Sequence, residues 1–92
     1  MRLYEILSDS APPMYVFAGS NDEAALLYVI HREALYVSPP SFSIERIDHT
    51  RKWKRDAQLK AALRRDLSGL GTREEQNGHW TIKPHETPSG EL

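Results

Sequence analysis

Hydrophobic positions change period several times along this chain, and each period predicts an element. In "RLYEIL" they alternate as in a strand, with Arg2, Tyr4 and Ile6 on one side and Leu3, Glu5 and Leu7 on the other. The Tyr4 and Ile6 side is the expected core face. "SDSAPP" is a turn by composition, because its two prolines cannot donate ladder hydrogen bonds. "MYVFAG" is a second strand, and the two strands read as an antiparallel hairpin. "SNDE" then gives Ser20 and Glu23 capping-box spacing and puts acids at the positive end of a helix that runs to about Ala34. With residues about 100° apart around the axis, Leu26, Leu27, Ile30 and Ala34 share one broad face, flanked by Tyr28 and Val29. Such an arc is wider than a two-layer domain needs. Either the helix is covered on more than one side, or it offers an interface.

Pro39 and Pro40 end that segment, and "FSIERI" alternates as a third strand with Phe42 and Ile44 inward. A second helix is expected from about Arg51 to Ser68, capped by Asp48 or Thr50, with Leu59, Leu63, Leu67 and Leu70 in one arc. Gly69 and Gly71 supply left-handed stop positions. "TREEQNG" is a polar connection, and "HWTIKP" a short last strand with Trp80 and Ile82 on one face. The order ββαβα(β) predicts an α+β domain over residues 1–84, with the helices packed on one face of a mixed sheet. Residues 85–92 are expected to form a disordered polar tail.

Composition sharpens the class. The chain has 92 residues, 39% of them hydrophobic and 27% charged, as expected of a single small globular domain. It has no cysteine, so neither a disulfide framework nor a thiolate metal site is available. "MRLYEILSDS" is too polar for a signal peptide or a membrane span, and a cytoplasmic location without membrane association is expected.

The net charge of −1 hides a strong asymmetry. Residues 1–45 carry a net −4, residues 46–65 a net +6 and residues 66–92 a net −3. The cations concentrate in "RKWKRDAQLKAALRR". On one helix, Arg51, Lys54, Gln58 and Arg65 would line the side opposite the leucines, with Arg64 and Arg55 near it and Trp53 at the boundary. Arg51, Lys54, Arg55, Arg64 and Arg65 are therefore the candidate basic surface. Trp53 is the candidate for stacking on a base. The same stripe also reads as a solvated helix face, with Lys52 and Asp56 paired one turn apart.

No local motif proposes catalysis, a cofactor or a metal site. His31, His49, His79 and His85 lack the spacing of a zinc site, and "SGLGT" lacks the lysine of a phosphate loop. An enzyme would have to gather His49, His79 or His85 with distant carboxylates. Four tyrosines fall within the first thirty-six residues, and Tyr28 and Tyr36 are the candidate protein-interface residues.

The stretch "AGSNDEAALLYVI" followed by "FSIERI", with Ser20, Glu23, Ala24 and Ala25 at the helix start, resembles small phage and mobile-element proteins, anti-CRISPR proteins among them. The resemblance covers about half the chain. It implies a short, compact accessory protein, without an active site, that binds a larger machine. The basic stretch departs from the acidic, DNA-mimicking type. The expected function is thus a non-catalytic protein-binding accessory factor, such as an inhibitor of a larger complex. A nucleic-acid-binding factor using residues 51–65 is the alternative, and a second copy of the chain is a further candidate partner.

Overall fold

The computed structural model describes residues 1–8, 11–33 and 41–84. Seven elements follow in order: β1 (Arg2–Ser8), β2 (Ala11–Ala18), α1 (Asn21–Glu33), β3 (Phe42–Arg46), α2 (Ala57–Arg64), β4 (Gly69–Arg73) and β5 (Trp80–Lys83). The strands form one five-stranded sheet in the order β3-β1-β2-β4-β5. Every pairing is antiparallel, so the expected mixed sheet is corrected. The α+β class stands, with one strand more than the sequence pattern predicts. Residues 85–92, expected as a tail, lie outside the described residues.

The helices do not share a face. Tyr4, Ile6, Val16 and Ala18 point to one side of the sheet and form a cluster with Ala24 and Tyr28 of α1. Leu3 and Phe17 point to the other side and cluster with Ile47, Trp53, Leu59, Ala62, Trp80 and Ile82. The cross-strand partners Leu3 and Phe17, and Tyr4 and Val16, keep the two sets apart. Both sides of β1 are therefore buried, although alternation favoured one. The physical reason is connectivity. The β2–α1–β3 link crosses β1 on one face, and the β3–α2–β4 link crosses β1 and β2 on the other.

β2 starts three residues earlier than expected, at Ala11. Pro12 and Pro13 are tolerated because pairing with β4 begins only at Tyr15, and the register with β1 shifts between Ile6 and Ser8. At the start of α1 the Glu23 N–H donates to Ser20 Oγ at 3.1 Å, while Glu23 Oε1 accepts from the Gly19 N–H at 2.6 Å. The expected cap forms, one residue displaced on its return arm.

α2 is much shorter than the periodicity suggests. Asp56, in an extended conformation, accepts from the Leu59 N–H at 2.9 Å and starts the helix there. Residues 47–56 form successive turns instead, with Thr50 N and Oγ1 donating to the Ile47 carbonyl and Trp53 N to the Thr50 carbonyl. The helix stops at Asp66, which takes the left-handed conformation at φ 56°. Gly69 and Gly71 are strand residues rather than helix stops. A Cβ on Gly71 would lie 2.6 Å from the Phe17 ring, and one on Gly69 would collide with the Lys83 carbonyl. Gly71 makes room for the Phe17 and Trp80 rings, and Gly69 for the close approach of the β5 backbone. Leu67 is exposed and Leu70 faces the α1 cluster, so the expected leucine arc keeps only Leu59, with Leu63 half-buried beside it.

Candidate functional site

The expected protein interface does not form as the sequence suggested. Tyr28 is 1% exposed, and its ring packs 4.5 Å from that of Phe42. The helix turns Ala24, Leu27 and Tyr28 toward the sheet and leaves Leu26 59% exposed, so of the expected face Leu27 points inward and Leu26 does not. A small residue and a large one four apart let α1 approach closely at Ala24 and fill the space above β3 with Tyr28. Tyr28 is therefore a core residue and is corrected as an interface candidate. Tyr36 lies outside the described residues.

Trp53 is corrected in the same way. It is 6% exposed and closes the core on the α2 face, with ring centroids 6.2 Å from Tyr15 and 5.6 Å from Trp80. Trp80, wholly buried, adds edge contacts to Tyr15 at 5.3 Å and Phe17 at 5.4 Å. Its indole N–H has no hydrogen-bond partner, and the surrounding rings alone cover it. Edge-to-face packing of four aromatic rings replaces a longer helix as the cover of this face.

Outside this aromatic layer sit the cations. Arg51, Lys52, Lys54 and Arg55 on the turns and Lys60, Arg64 and Arg65 on or just after α2 are all exposed. Ala57 and Ala61, between the helical cations, are exposed and small. All five candidate basic residues lie on the segment whose Trp53, Leu59 and Ala62 pack on this face, a cationic layer that two different local structures present. Arg65 also has a structural role, since its Nη1 donates to the Trp80 carbonyl at 2.9 Å and ties the end of α2 to β5.

The acids within the segment are committed elsewhere. Asp48 accepts from the Leu3 N–H at 3.0 Å and from Arg46 Nε and Nη2 at 2.9 and 3.0 Å. Burial pushes its carboxyl up, but the Arg46 and Leu3 hydrogen bonds outweigh that and hold it below the usual carboxylate range. Asp56 caps α2. Arg46 and Asp48 form an ion pair, and among the described residues no acid of the flanks pairs with residues 51–64.

The layer has one concave feature. Tyr15, Lys52, Trp53, Asp56, Arg73 and Glu75 line an open cleft of about 320 Å³ where the turns meet the β4–β5 hairpin. Lys52 Nζ lies 4.9 Å and the Arg73 guanidinium carbon 5.6 Å from the Trp53 ring centroid. The Tyr15 hydroxyl is held above its usual range, chiefly by burial and then by Glu5, with Arg73 opposing. Arg73, Tyr15 and Glu75 were not singled out by sequence. Cross-strand spacing carries a signal only once β4 is recognised.

His49 and His79 are exposed on separate turns, and His85 lies outside the described residues. Among the described residues no three histidine or acidic side chains gather as metal ligands. No helix among them is long and apolar enough to cross a membrane. No family model matches this chain, and neither does any curated protein or solved structure.

Proposed function

We propose that this protein is a non-catalytic binding factor that engages nucleic-acid phosphates through the cationic layer of residues 51–64. One observation carries the reading: Arg51, Lys52, Lys54, Arg55, Lys60 and Arg64 are each exposed on the segment that covers the aromatic face, and none has an acidic partner among the described residues. Both acids of the segment serve the fold, through the Arg46–Asp48 pair and the Asp56 cap. Cations held in one layer repel one another, and a polyanion relieves that repulsion while releasing counterions. The small Ala57 and Ala61 leave room for a phosphate backbone to approach Lys60 and Arg64.

An electrophoretic mobility-shift series with DNA and RNA oligonucleotides at low salt tests this. The wild type shifts the probe, and a variant carrying Arg51→Glu, Lys54→Glu and Arg55→Glu does not. Absence of a wild-type shift at low salt would remove the reading.

A second reading is a protein-binding accessory factor, in the form of a phage or mobile-element inhibitor. It is favoured by a specific feature of α1: Leu26 is 59% exposed, with Val29 and Ile30 only partly covered beside it. Leu26→Ser leaves the core intact, so loss of a co-purifying protein in that variant alone would support an interface there. An unchanged set of co-purifying proteins would count against it.

A further inference from the structure

The cleft at the edge of the cationic layer differs in character from the layer itself. Its lining carries two cations, Lys52 and Arg73, and two carboxylates, Asp56 and Glu75, around the partly buried Tyr15 ring and the buried Trp53 ring. Its lining charge is balanced, so it does not attract a polyanion by bulk field. It presents instead an anion-binding pair beside hydrogen-bond acceptors and an aromatic wall.

The cations come from different parts of the chain. Lys52 is carried by the turns after β3, and Arg73 by the last residue of β4. Both converge on the Trp53 ring, and neither has a carboxylate within ion-pair distance among the described residues. Gly78 gives Arg73 its place, since a Cβ there would lie 3.2 Å from Arg73 Nη2. Asp56 engages the Leu59 N–H through Oδ1, and its second oxygen is left to accept. The volume, about 320 Å³, is at the lower end of small-molecule sites.

We infer that this cleft binds a single nucleotide unit, with its phosphate at Lys52 and Arg73, its base against Tyr15, and its exocyclic N–H donors toward Asp56 or Glu75. The carboxylates repel additional phosphates and so select a monophosphate over a polyphosphate. The inference deepens the nucleic-acid reading, because one nucleotide of a bound strand would seat here while the layer holds its neighbours. It also stands by itself, since a free nucleotide offers the same chemistry.

Intrinsic fluorescence tests the site directly, because Trp53 and Trp80, the chain's two tryptophans, both pack at or next to it. The full-length protein is titrated at low salt with adenosine monophosphate, inorganic phosphate and adenosine. Saturable quenching by the monophosphate is expected, tighter than that by phosphate or adenosine. Lys52→Ala combined with Arg73→Ala weakens it by about tenfold or more, while Arg2→Ala, at an exposed cation of β1 outside both the layer and the cleft, leaves it unchanged. No saturable change with the monophosphate, equal response to inorganic phosphate, or wild-type affinity in the Lys52/Arg73 variant would each overturn the inference. Oligonucleotide binding without nucleotide quenching would remove the cleft and keep the layer. Quenching without oligonucleotide binding would remove the layer and keep the cleft.

Discussion

On one face of the sheet a 13-residue helix, α1, lies over the strands. On the other, an eight-residue helix and a run of turns must cover a comparable area. The first face is sealed by aliphatic side chains, two alanines and two tyrosines. The second is sealed by large rings, Phe17, Trp53 and Trp80 with Tyr15 beside them, over Gly71. A thin cover needs big side chains beneath it, and here seven lysines and arginines are exposed on its outer surface. The difference separates a face built for stability from one whose exterior is available to a partner.

The largest test of this contrast is Trp80→Ala. Loss of a wholly buried indole that touches Tyr15, Phe17 and Trp53 should cost about 3–5 kcal/mol, read by urea denaturation. Tyr28→Ala, on the opposite face, should also destabilise, yet the protein that stays folded should keep its oligonucleotide affinity. If it loses that affinity, the two faces are not independent.

Gly71→Ala is a finer probe of the same face. Its Cβ would press on the Phe17 ring, and with Trp80 close by the ring cannot move freely. A loss of about 1–3 kcal/mol is expected from overpacking. A neutral result would mean that the rings are loosely held.

Asp48→Asn should have the smallest effect of these substitutions, about 1–2 kcal/mol at neutral pH, because the Leu3 N–H can still find an acceptor. Its pH dependence is diagnostic. A carboxyl whose folded pKa is lowered adds stability above the usual carboxylate range, and that stability is lost as pH falls through the folded value. Wild type and variant should therefore converge in stability in thermal melts as pH falls below the usual carboxylate range. Parallel curves down to acid would remove Asp48 as the pin between β1 and the following turns.

Much of this fold was legible in the alternation of residues. The first hairpin, α1, β3, and the inward Trp80 and Ile82 all follow from it. β4 did not, because "GLGTR" has two residues of poor strand propensity, whose value lies in the ring packed over Gly71 and the close β5 backbone at Gly69. The start of α2 was hidden because "RKWKR" has acceptable helix propensity, and only the extended Asp56 marks the break. Tyr28 was misplaced because residues 24–30 of α1 are all apolar, so a helical wheel alone could not say which side meets the sheet. The cations were legible as a cluster. Their exposure was not, since it depends on where Asp48 and Asp56 find partners.

If the layer over the aromatic face is a phosphate-binding surface, its affinity must fall with salt. Fluorescence anisotropy of a labelled oligonucleotide across a salt series measures this most directly. With about five phosphate contacts, log K should fall against log salt with a slope of about −4.5. The Arg51→Glu, Lys54→Glu, Arg55→Glu variant should bind too weakly to titrate. A slope near zero, or equal slopes and affinities for wild type and variant, would contradict a phosphate-binding role for the layer.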